Sequence, residues 1–258
     1  MKILDCSTVE STHQSLADIF QTDIEGVKHF VKKSENKFVK YEGMKTEDLC
    51  IEDILDYFKL EKEEVLPDKL VLFHLTSGLD DRGFRKHGIL NLENVIKKGL
   101  LNNFFEQNGI SIICKENNKP IIKHNNKEYV DERLFWRFSA DNCINGFLVR
   151  EEAENNNNVK DLRECPEFIS DISRLLGMPE LVSNWKTSTN AMVLSLIVDF
   201  KEVNDFDPNR FIIGAVEYLA LKNKSSWGSE DNKMVFLSEK ANIPPSDILK
   251  VETKSYSL

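Results

Sequence analysis

Chemistry in this chain is concentrated at His74, Thr76 and Ser77, at the end of the segment LVLFHLTS spanning residues 70–77. A neutral imidazole donates or accepts one ring hydrogen bond and a threonine hydroxyl does both, so the pair can orient a sugar diol or another small polar ligand. In a purely structural role, His74 would be a satisfied histidine of the core or of a sheet end. Nothing else competes as a motif. There is no GxGxxG, no GxxxxGK[ST] and no GxSxG, so no Rossmann fingerprint, P-loop or nucleophile elbow is offered. Carboxylates are numerous but fall mostly on polar helix faces.

The elements that must position these groups can be read locally. Leu70 to Phe73 is a short apolar run between Pro67-Asp68 and Gly78, which predicts a buried strand. Asn91 is a good N-cap for a helix with Leu92, Val95 and Ile96 on one face, Lys97 and Lys98 at its negative end and Gly99 after it. Upstream, residues 1–60 read as helical. Asp23 caps a helix with Ile24, Val27, Phe30 and Val31 on one face. Thr46 caps another, with Glu47 and Asp48 in its first turn and Ile51, Ile54, Leu55 and Phe58 as its apolar face. The charged stretch 61–69, with Pro67, marks a boundary between a helical N-terminal region, 1–66, and an α+β domain, 67–258.

Downstream, 110–130 predicts an inserted hairpin of strands, with turns at Asn117-Asn118 and Asn125-Asn126. Leu134 to Phe138 reads as a strand, with Ser139 capping a helix from Ala140. Residues 154–158 are a polar loop. Pro166 opens a helix whose face is Phe168, Ile169, Ile172, Leu175 and Leu176, ended by Gly177. Residues 183–190 read as a polar loop carrying Trp185, which either stacks on a ligand ring or covers the core edge. Ala191 to Phe200, nearly apolar on both faces, predicts a central strand. Phe211 to Leu221 fits helix or strand equally. Met234 to Leu237 and Ile248 to Val251 close the sheet.

The 258 residues, 41% of them hydrophobic, suffice for a packed core, and the formal charge of -9 argues against broad binding to nucleic-acid backbone. Five cysteines (Cys6, Cys50, Cys114, Cys143 and Cys165) are scattered without ligand spacing, which argues against zinc. The odd count and the lack of a signal-peptide pattern predict a reducing cytoplasm. No apolar run approaches the roughly 20 residues that span a bilayer.

Taken in order, these pieces resemble the ADP-ribosyltransferase fold in its His-containing branch, which includes the poly(ADP-ribose) polymerases and related bacterial toxins. LFHLTS at 72–77 followed by NLENVIKKGLL at 91–101 is similar to that family's His-bearing strand and following helix. WRFSADNCINGF at 136–147 is similar to its second strand and helix, NAMVLSLIVDFKEV at 190–203 to its long central strand, and NKMVFLSEKANIPPSDILKV at 232–251 to its last motif. The resemblance covers 67–258 in outline, leaving out the hairpin and 154–190.

The resemblance implies an α+β fold with a split mixed sheet, and NAD as substrate. It assigns the ribose and amide of NAD to His74 and Thr76, with Ser77 beside them. Phe138 takes the place of an aromatic next to the nicotinamide, and Phe147 that of a later stacking tyrosine. The departure is Lys233, where the family carries a glutamate that stabilises the charge developing as nicotinamide leaves; a lysine would do the opposite. Glu230 in the preceding loop is the candidate acid, and Glu239 a weaker one; the other readings are an enzyme that works without this glutamate and a chain that has lost catalysis. On the structural reading Lys233 is an exposed edge-strand lysine. The implied activity is mono-ADP-ribosyl transfer to a protein, nucleic acid or small molecule, which would suit a toxin or defence effector. The alternatives are an inactive nucleotide- or protein-binding module of the same fold, and an α+β interaction protein acting through its N-terminal helices.

Overall fold

The computed structural model describes residues 1–38, 48–114, 119–139, 143–159, 165–205, 207–238 and 241–254. The expectations for Thr46, Glu47, the Asn117-Asn118 turn, Ala140 and Glu239 lie outside the described residues. The class is α+β. A six-stranded sheet has the order β8 (Met234–Phe236), β6 (Asn145–Phe147), β2 (Lys69–Gly78), β7 (Asn190–Asp199), β9 (Ile248–Lys254), with β1 (Ile3–Leu4) parallel to β2. β6 runs antiparallel to β2, Phe147 facing Phe73. The inserted segment forms its own three-stranded sheet of β3 (Ile110–Cys114), β4 (Pro120–His124) and β5 (Lys127–Tyr129).

By compactness the chain forms two units, 1–73 with 146–157 and 195–236, and 74–145 with 158–194 and 237–258. This division differs from the expected boundary at 66–67. The N-terminal helices share a unit with later chain because their apolar faces are covered by it. In that first unit, α1 (Val9–Ile19) and α2 (Ile24–Phe38) pack against α10 (Asn209–Asn223). Asp23 does cap α2, accepting from the Gly26 amide at 2.7 Å. α3 (Ile51–Phe58) begins later than expected, at a Cys50 cap whose amide donates to Asp53 at 3.0 Å. Phe58 stacks on Phe20 with ring centroids 4.7 Å apart. The ambiguous 211–221 segment is helical; it is buried nearly all round, which removes the one-sided pattern that marks a surface helix.

The second unit holds α4 (Arg82–His87), α5 (Leu92–Lys97), α6 (Asn102–Gln107), α7 (Glu132–Ser139), α8 (Glu167–Leu176) and α9 (Glu180–Ser188). Asn91 caps α5 as its sequence implies, accepting from the Asn94 amide at 3.0 Å, and Gly99 and Gly177 both take positive φ. Two expectations fail here. Leu134 to Phe138 is a helix, α7, not a strand, and Ser139 is its last residue, bonded back to Phe135 O, rather than a cap. The Asp131 carboxylate accepts from the Leu134 amide at 2.9 Å and starts this helix, which buries Leu134, Arg137 and Phe138 at i, i+3 and i+4. Residues 183–188 belong to α9, not to a loop, because Leu181 and Trp185, four apart, reach one core.

That core contains Phe104, Phe105, Leu134, Phe138, Phe168, Ile169, Ile172, Leu181 and Trp185. A buried ion network ties α7 to α8. Asp171, with only 3% of its side chain exposed, binds Arg137, Arg133 (3.1 Å) and Arg174 (2.7 Å), and Arg137 also reaches Glu167. Removing one partner of a buried pair strands the other charge in a poor solvent. Asp171→Ala is therefore expected to destabilise the protein by about 3 kcal/mol in urea unfolding; a loss below about 1 kcal/mol would put this network among surface pairs.

Candidate functional site

Successive strand residues point to opposite faces. On β2 this puts Leu75 and Ser77 on one face and His74, Thr76 and Gly78 on the other. All five are half-buried, whereas Leu70 to Phe73 before them are fully buried. The strand thus passes from apolar to polar as it leaves the core.

The Ser77 face turns inward. Ser77 Oγ accepts from Trp185 Nε1 at 2.8 Å. Trp185 is itself 4% exposed, with its ring edge-on to Phe104 at 4.9 Å. Ser77 therefore anchors the strand end to α9, and Trp185 covers the core edge rather than a ligand.

The opposite face carries the candidate chemistry. His74 Nδ1 lies 2.6 Å from Asn145 O. A carbonyl only accepts, so Nδ1 carries the proton and donates. Burial holds the imidazole below its ordinary pKa of 6.5, partly offset by the Asn145 bond, so the ring is neutral at neutral pH. Its second nitrogen, Nε2, is then an acceptor and has no partner among the described residues. The Thr76 hydroxyl, two residues on and on the same face, likewise has no side-chain hydrogen bond among them. The Phe84 ring closes the far end: a Cβ at Gly78 would lie 3.3 Å from it. The face offers a fixed acceptor, an adaptable hydroxyl and a flanking ring.

The other expected site residues are placed elsewhere. Phe138 and Phe147, expected to offer ring faces, are each 1% exposed. Phe138 packs edge-on to Phe168 at 5.6 Å and Phe147 faces Phe73, so both rings are spent on packing. The expected order of strand then helix at 136–147 is reversed: α7 precedes β6. Glu230 is exposed in a 3-10 turn, Ser229–Asp231, of the first unit, where its carboxylate accepts from the Asn157 amide at 3.1 Å. Lys233 is not a free edge lysine. It is two-thirds buried and pairs with Glu217 of α10 at 2.7 Å. The sequence reading missed Glu217 and Asn145: Glu217 lay in the unassigned 211–221 segment, and a backbone carbonyl leaves no residue-type signal. Among the described residues no group of His, Cys, Asp or Glu could hold a metal, and no helix is long and apolar enough to cross a membrane.

Two outcomes follow from this geometry. Because the folded-state pKa of His74 is depressed, the unfolded chain binds more protons below about pH 6.5. The stability present above that pH is thus lost on acidification, and thermal unfolding of His74→Gln should show a shallower acid loss than the wild type; parallel curves would contradict the burial of the ring. Trp185→Phe removes the donor to Ser77 and is expected to cost about 1 kcal/mol in urea unfolding; an unchanged midpoint would mean that this bond is not an anchor.

Comparison with known proteins returns no match to any family model, curated protein or solved structure.

Proposed function

We propose that the His74–Thr76 face binds NAD, and that the chain is an ADP-ribosyltransferase-like protein of the His-containing kind. One observation supports this reading: a neutral imidazole, locked by Asn145 O, presents Nε2 as an acceptor beside the Thr76 hydroxyl, which has no side-chain partner among the described residues, on the same strand face. A ribose hydroxyl can donate to Nε2 and exchange hydrogen bonds with Thr76, and the carboxamide of nicotinamide offers the same donor chemistry. Neither group needs a charge from the protein. The acceptor in a transfer reaction would be a protein, a nucleic acid or a small molecule.

In transfer, a carboxylate beside the oxocarbenium ion that forms as nicotinamide leaves would stabilise it. Here Lys233 is ion-paired with Glu217, and Glu230 caps the turn at Asn157. These pairings favour a second reading, in which the same face binds the nucleotide without transferring it. Glu230→Gln separates the two. A transferase dependent on this acid loses turnover and keeps NAD binding; a binder has no turnover to lose.

Calorimetric titration with NAD tests the shared core of both readings. His74→Ala removes one to two hydrogen bonds and is expected to weaken binding about tenfold, with Thr76→Val weakening it less. A folded wild type that does not bind NAD, or a His74→Ala variant that binds it equally well, would remove the proposal.

A further inference from the structure

We propose that β9 is a pairing edge for a second copy of this chain, joining two sheets antiparallel about a two-fold axis at Val251. β9 stands at the end of the strand order, so among the described residues it pairs on one side only, with β7. A groove of about 370 Å³ is lined by Arg85, Pro245 and the consecutive residues Ile248, Leu249, Lys250 and Val251. Neighbouring strand residues point to opposite faces. A groove that touches four in a row therefore runs along the backbone edge rather than over one face of the strand. Leu249, 55% exposed, is a large apolar side chain left beside it.

The sequence of the strand selects the occupant. Glu252 lies on one strand face between Lys250 (3.2 Å) and Lys254 (3.7 Å). An edge lysine by itself discourages pairing, but here each strand carries the complement of its own lysine. With Val251 on the two-fold axis, Lys250 stands opposite the partner's Glu252 and Glu252 opposite the partner's Lys250, while Leu249 meets the partner's Thr253. Opposite charges across an antiparallel pair stabilise it, and like charges oppose it. Moving the axis to Lys250 or Glu252 sets like charges against each other. A slip by one residue sets Val251 against the partner's Glu252 and mixes the two sheet faces. Register and partner thus follow from one seven-residue strand, ILKVETK. The two-fold makes the contact self-limiting, because each copy contributes the same edge.

Sedimentation velocity on the full chain over a dilution series tests this. The wild type is expected to show a monomer–dimer equilibrium. Lys250→Glu places two glutamates opposite each other at both ends of the pairing and is expected to weaken the dimer about tenfold or more, and Glu252→Lys should do the same. The double exchange, Lys250→Glu with Glu252→Lys, restores opposite charges and should return association toward the wild-type value. Circular dichroism on each variant establishes that it is folded. A wild type that stays monomeric throughout the series overturns the proposal, as does a dimer that both single exchanges leave intact. An edge that takes up only an unrelated extended peptide overturns it too.

Discussion

The hydrogen bond from His74 Nδ1 to Asn145 O is the constraint on which the candidate site depends. A histidine halfway along a strand that begins in the core is costly unless its polar atoms are met. The carbonyl of Asn145 meets one of them at 2.6 Å and thereby fixes the tautomer. Partial burial then keeps the ring neutral. What remains is a single directed acceptor, which suits a hydroxyl or amide donor better than an anion. Without that bond His74 could rotate, change tautomer or take up a proton, and the face would lose its definition.

The rest of the second unit holds the strand end in place. Trp185 anchors β2 from the opposite face through Ser77, and the aromatic core behind it is closed by α7, α8 and α9. Arg137 is unusual there, a guanidinium inside an apolar cluster. It is tolerated because Asp171 and Glu167 take its charge, and the pairing sets how α7 meets α8. In the first unit Lys233 and Glu217 make a more exposed pair. A position that could have carried a free charge is neutralised there instead.

Much of the fold was legible where one-sided or terminal signals exist. The apolar run ending in His74, the Asn91 cap, the largely apolar strand Asn190–Asp199 and the glycine-terminated helix at 167–176 all carry local chemistry that only one element satisfies. The failures share a different cause. Leu134 to Phe138 is a continuous run too short for its period to decide, and its helical state depends on the Asp131 cap and on Asp171, far away in sequence. Residues 211–221 are buried on all sides, so no face is marked. The 183–190 segment looked like a loop because its polar residues surround Trp185, the one residue within it that is buried in the core. Of the site, His74, Thr76 and Ser77 could be found from residue type and spacing. Asn145 acts through its backbone, and the burial of Phe138 and Phe147 is a tertiary outcome with no local signature.

The most direct test is the nitrogen-15 spectrum of the His74 imidazole, recorded with and without NAD. The proton is predicted on Nδ1, the ring neutral at pH 7, and the Nε2 resonance should shift on NAD addition while Nδ1 stays bonded to Asn145. A proton on Nε2, a charged ring at neutral pH, or a spectrum unmoved by NAD would contradict the account.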